Sequence, residues 1–150
     1  GGFKCNNAAI GDAFLSTQCV NHDRRIPIPG FTEYGEGSYV SLPTPQLQHA
    51  LGFKSGVVTT SNSLDHVEMD DTLMKASNAS VKDMEAAAIA YVCELASVPF
   101  FAVKVVTDIV DGDRTTQEEF FENLAAASAS LQDKLPKVLD FVVGKKLSDL

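Results

Sequence analysis

The sequence is short of basic charge, of cysteine and of histidine, and each shortage closes off a class of function. Its 150 residues carry 12 lysines and arginines against 20 aspartates and glutamates, for a formal net charge of −8 and a pI near 4.7. Such a chain repels phosphate backbones, and no basic patch stands out, so nucleic acid is not expected as a partner. Cys5, Cys19 and Cys93 form an odd set with no CxxC pair, which fits reduced thiols and a cytoplasmic location. His22, His49 and His66 are scattered, without the spacing of a metal site, and no cofactor is implied. No apolar run reaches the ~20 residues that span a bilayer, and no signal peptide is visible, so no membrane partner is expected. Asn78-Ala79-Ser80 has the form of a glycosylation sequon, but nothing else points to secretion. Asp111-Gly112-Asp113 lacks the remaining ligands of a calcium loop and reads as a turn.

What the chain does have is an ordinary globular composition, 45% hydrophobic and 21% charged. That supports one domain with a core, over residues 1–150. The order of strands and helices indicates an α/β fold.

The most informative stretch is 81–108, VKDMEAAAIAYVCELASVPFFAVKVVTD. Val81 and Lys82 read as extended, and Asp83 is placed to cap the helix that follows. Met84, Ala87, Ala88, Tyr91, Val92 and Leu95 recur at helical spacing, which predicts an inward apolar face. Cys93 falls inside this helix and reads as core filler more readily than as a nucleophile. Pro99 stops the helix, and the run 100–106 reads as a parallel strand covered on both faces. Thr107 and Asp108 follow where that strand ends, the edge at which open α/β sheets bind ligands.

Two carboxylates frame this unit. Glu85, expected in the first helical turn, is held ionised by the helix dipole and could accept bonds from adjacent hydroxyls such as those of a ribose. Asp108, after an apolar strand, is placed where poor solvation favours the protonated acid. One charged and one neutral carboxyl make a workable acid/base pair. Both also have plainer readings, Glu85 as a dipole complement and Asp108 as a turn former. Lys104 lies between Val103 and Val105 in the apolar strand, where a lysine needs a partner or a site.

Elsewhere, residues 10–20 read as a strand, and 26–30 (IPIPG) as an exposed loop, because its prolines cannot donate to a ladder. The same segment offers rigid apolar surface suited to an interface. Thr44-Pro45 opens a short helix to about Leu51, closed by Gly52. Residues 55–60 form a strand, and 69–77 a helix with Leu73 and Met74 inward. Thr115 and Thr116 are equally good caps for a long helix with the stripe Phe120, Leu124, Ala127, Leu131 and Leu135. Pro136 is expected to kink or interrupt that helix near Gln132.

Taken together, 81–91 (VKDMEAAAIAY) and 105–113 (VVTDIVDGD) resemble the nucleoside phosphorylase/hydrolase superfamily, and above all the plant-type 5′-methylthioadenosine nucleosidases. The likeness extends to 1–3 (GGF), 10–12 (IGD), 22–29 (HDRRIPIP), 60–65 (TSNSLD) and 147–150 (LSDL). It implies a mixed sheet flanked by helices, with the family's N-terminal strands lacking from these residues. It also implies hydrolysis of the N-glycosidic bond of 5′-methylthioadenosine, a step of methionine salvage.

By the same resemblance Asp108 protonates the purine, Glu85 holds the ribose hydroxyls, and Met84 packs beside the sugar. Lys82 and Asp83 line the approach, and Leu64 takes the place of the base-contacting residue. Ser61-Asn62 stands where the family has Gly-Asp, a departure that bears on the loop's backbone shape. Lys104 either helps hold the attacking water or reaches a structural acid. Ile28, Pro29 and Phe31 would close the site of a second subunit, so a homodimer is expected. The family's water-activating acid has no counterpart here, so the isolated chain is expected to turn over methylthioadenosine very poorly. Alternative readings are a phosphate-dependent nucleoside phosphorylase, a non-catalytic storage or binding relative, and a product with only an interaction role.

Overall fold

The pleat of one long strand divides the core. In the computed structural model, which describes residues 1–65 and 67–150, β1 (Ala13–Asn21) directs Phe14 to one face and Ala13 and Leu15 to the other. A register shift between Ser16 and Gln18 then brings Cys19 back to the face of Phe14. On that face Phe14, Cys19, Val58 and Val81 pack with Ala86, Ala87 and Ala90. On the other, Ala13 and Leu15 meet Leu47, Phe53 and Val138.

The mixed sheet adds β2 (Ser38–Val40), β3 (Lys54–Thr60), β4 (Ala79–Asp83) and β5 (Val103–Val105). Its order is β2-β1-β3-β4, with β5 also pairing to β1. β1, β3 and β4 run parallel, while β2 and β5 are antiparallel to β1. The helices are α1 (Thr32–Glu36), α2 (Pro45–Leu51), α3 (Glu68–Ala76), α4 (Ala86–Leu95) and α5 (Thr116–Val142). Gly52 ends α2 at a φ of 65°, a left-handed conformation that glycine adopts without strain. Thr115 is the cap of α5, accepting from the Glu118 N–H. No helix of the described residues is long and apolar enough to cross a membrane. His66 lies outside the described residues.

Three expectations need correction. The run 100–106 is not a parallel strand: only Val103–Val105 pairs, and in the antiparallel sense. Before it the contact with β1 continues only irregularly: the Ala102 carbonyl accepts from the Ser16 N–H at 2.9 Å, and other groups use a side chain or another segment. The Ala102 N–H donates to Ser16 Oγ at 2.7 Å, and the Phe100 carbonyl accepts from Leu42.

The inward face of α4 is Ala86, Ala87 and Ala90, whereas Met84, Val92 and Leu95 are exposed. The small side chains let the helix approach β3 and β1 closely and turn the larger ones outward. In α5, Leu124 and Leu135 are exposed, and the helix continues through Pro136. Polar residues hold its inner face: Glu119 Oε2 accepts from Ile109 N–H at 2.8 Å, and Ser130 Oγ donates to the Gly11 carbonyl at 3.2 Å.

Candidate active site

A cleft of about 280 Å³ opens at the ends of β4 and β5. One wall is the end of β4. Asp83 Oδ2 accepts from the Ala86 N–H at 2.8 Å, the cap expected of it, and Oδ1 accepts from the Thr60 hydroxyl at 2.6 Å. Thr60 Oγ1 in turn accepts from the Ala87 N–H at 2.9 Å. The first two amides of α4 are thereby satisfied by side chains of β3 and β4. Glu85 sits one position earlier than expected, at the boundary residue before Ala86, and makes no capping bond of its own. Its side chain is 64% exposed, and it lines the mouth of the cleft beside Met84.

The opposite wall carries Asp108, only 2% exposed. The Thr107 hydroxyl donates to its Oδ1 at 2.5 Å, and the Gly1 amino nitrogen lies 3.5 Å away. Among the described residues Oδ2 has no hydrogen-bond partner. The backbone around Asp108 is held from both sides: its carbonyl accepts from the Gly2 N–H at 2.7 Å, and Val110 N–H donates back to Gly2 at 2.9 Å. A Cβ on Gly2 would collide with Ala8 and Val106, so only glycine allows this approach.

Both lysines of the cleft are committed. Lys104 reaches Asp83 at 2.5 Å and Glu85 at 3.4 Å, so the acids it meets belong to the cleft wall. Lys82, 6% exposed, donates to the carbonyls of Leu64 at 2.7 Å and Asp65 at 3.0 Å. Burial pushes its ammonium below the usual lysine range, against the opposing pull of Asp108, Asp65, Asp70 and Asp23.

Leu64 stands on the rim, half-exposed, in a loop whose Asn62 donates through its N–H and side chain to Asp23 at 2.5 and 3.1 Å. Behind it lies His22, buried, with Nδ1 2.8 Å from Thr59 Oγ1 and Nε2 unpartnered among the described residues. Burial pushes its pKa below the usual histidine value.

Leu64, Lys82, Asp83, Met84, Glu85, Lys104 and Asp108 therefore share one cleft, while Ile28, Pro29 and Phe31 are exposed and do not line it. Sequence reasoning missed Thr107 as the partner of Asp108. It also missed Thr116 and Phe120, which bring the start of α5 to the cleft. Phe120 had a signal, a large aromatic one turn into the helix, but it reads equally well as core. No group of three or more His, Cys, Asp or Glu among the described residues could hold a metal ion.

A phosphorylase superfamily model matches residues 1–140. The chain belongs to the phosphorylase superfamily. Among superfamily members it is 49% identical, over all 150 residues, to a 5′-methylthioadenosine nucleosidase of Arabidopsis thaliana, of which it spans 56%. It is equally similar, at 49%, to a 5′-methylthioadenosine/S-adenosylhomocysteine nucleosidase of the same plant, spanning 59%. The solved apo structure of the Arabidopsis methylthioadenosine nucleosidase superposes with a TM-score of 0.96, covering 100% of this chain and 62% of that one. The superfamily fold expected from the sequence is thus present, and the chain spans a little over half the length of the curated relatives it matches.

Proposed function

We propose that this cleft serves hydrolysis of the N-glycosidic bond of 5′-methylthioadenosine, giving adenine and methylthioribose, in methionine salvage. The observation that carries the reading is Asp108: a buried carboxyl with one oxygen uncommitted, in the same cleft as the exposed, uncapped Glu85. Cleaving the bond between the ribose C1′ and the purine leaves electrons on the base and positive charge on the sugar. Asp108 delivers a proton to the imidazole-ring nitrogen of the leaving adenine. Water adds to C1′ and gives up a proton, so the balance is nucleoside plus water to base plus sugar. General acid help of this kind is worth about 10²–10⁴-fold.

Glu85 accepts bonds from the two ribose hydroxyls, Met84 packs beside the sugar, Leu64 lies against the base, and Asp83 lines the approach. Lys104, tied to Asp83 and Glu85, stands beside the water's path. In a cytoplasmic homodimer, Ile28, Pro29 and Phe31 would complete the partner's site near the alkylthio group.

Water is favoured over phosphate because the lysines lining the cleft are already occupied, Lys82 by carbonyls and Lys104 by carboxylates. Turnover in ¹⁸O-labelled water tests this choice. The reading expects one labelled oxygen on the sugar product. A sugar phosphate, formed only when phosphate is added, contradicts it.

A further inference from the structure

The loop 61–65, which carries Leu64 to the cleft, has no helix or strand to hold it. It is fixed by side chains of one strand, of the segment after another and of the loop itself. Ser61 Oγ donates to the Ser63 carbonyl at 2.7 Å within the loop, and Asp23, just beyond β1, accepts both donors of Asn62. From β4, Lys82 donates to two successive carbonyls, those of Leu64 and Asp65.

A buried ammonium is costly unless its donors are matched, and here the matching groups all belong to this one loop. Lys82 and Leu64 line the same cleft, so the reach of the lysine from β4 sets where the Leu64 backbone stands over the site. We propose that Lys82 is a positioning residue: its ammonium fixes the backbone of Leu64, and thereby how closely that side chain packs on the flat face of a bound base. The role is one of holding an apolar contact in place, distinct from direct contact with substrate. It rests on the proposed nucleosidase reading only for the identity of the base.

The test uses Lys82→Met, which keeps the apolar stem and removes the donors, and Lys82→Gln, which restores one uncharged donor. Folding is checked by thermal unfolding. Hydrogen exchange in the ligand-free protein should then show amides 62–65 of Lys82→Met opening about ten- to a hundredfold faster, as loss of charge-assisted bonds implies, with β3 and β4 still protected. Calorimetry with adenine should show binding weakened by a similar factor. KM for methylthioadenosine should rise while kcat moves little, and Lys82→Gln should fall between.

Wild-type exchange at 62–65 in a folded Lys82→Met protein overturns the proposal, as does a kcat loss without a KM change. If neither variant folds, the ammonium is a requirement of the core and the proposal is equally overturned. If the wild-type protein binds no adenine, the nucleosidase reading fails, and the exchange measurement still decides the role of Lys82.

Discussion

The cleft and the outer face of α4 are neighbours in sequence and opposites in construction. At the cleft, nearly every polar group is used: Asp83, Thr60, Lys82, Lys104 and Thr107 bond to one another, to a backbone or to Asp108. What is left over is one oxygen of Asp108, while Glu85, exposed and held by the 3.4 Å pair with Lys104, still has room to accept bonds from a substrate. On the outer face the left-over groups are apolar. Val92 is 61% and Leu95 69% exposed, with Ile89 in the same condition. α1 and α4 share a groove there lined by Tyr34, Tyr39, Tyr91 and Leu95. Exposed apolar side chains of this kind would suit an association face, and Glu33, Glu36 and Glu94 line the same groove. One region leaves a polar group open to a ligand, and the other leaves apolar side chains open to solvent.

The largest effect should come from removing the unused oxygen's chemistry. Asp108→Asn keeps the shape and is expected to lower kcat by about 10²–10⁴-fold, with the melting temperature little changed. Steady-state kinetics beside thermal unfolding separates the two. A core substitution should do the reverse. Leu47→Ala empties a fully buried site and should cost about 2–5 kcal/mol in denaturant unfolding, without any specific effect on the cleft. Glu85→Gln comes next. Loss of charge-assisted bonds to the ribose hydroxyls should reduce kcat/KM by about 10–100-fold and leave stability alone, because the side chain is exposed.

How these regions differ was only partly legible in the sequence. The Asp83 cap and the Gly52 stop follow from local rules, and the structure places them as read, while Glu85 reaches the cleft of Asp108 from one position earlier than read. The face of α4 does not follow. A helix reading AAAIAYVCEL is apolar on every side, so periodicity cannot choose between Ala90 and Leu95, and packing distance decides for the alanines. The sense of β5 depends on where the chain lands after Pro99, which no residue in 100–106 encodes. The commitment of Lys82 to a loop 18 residues away is a tertiary fact with no spacing signal. Glu119 and Ser130 tie α5 to its neighbours through Ile109 and Gly11, long-range bonds that no local spacing signals.

Two smaller effects sharpen the comparison. Burial lowers the pKa of His22 in the folded state, with Lys82 and Arg25 adding to the effect and Asp23 and Asp70 opposing it. Below the ordinary value of 6.5 the unfolded chain therefore binds the proton first. Stability is present above that pH and is lost as pH falls through the folded-state value. Asp70 is also lowered, chiefly by its bonds to Arg25 and Val67, which outweigh the upward push of burial, but its window lies below 3.8. Urea midpoints between pH 7 and 5 should fall in the wild-type protein and flatten in His22→Gln; an unchanged slope in the variant would assign it elsewhere. Last, Leu95→Ser should shift monomer stability by no more than about 0.5 kcal/mol, while weakening self-association in sedimentation. A large stability loss would mean this face is already covered within the chain.

On the proposed reading, Asp108 protonates the leaving adenine in this cleft while water adds to the ribose C1′. That step is tested most directly by chromatography of 5′-methylthioadenosine incubated in phosphate-free buffer. The protein is supplied with a polypeptide covering the remaining length of its relatives, in wild-type and Asp108→Asn forms. The account predicts free adenine from the first and a loss of about 10²–10⁴-fold in the second. Adenine that appears only when phosphate is added, or at equal rates from both proteins, would contradict it.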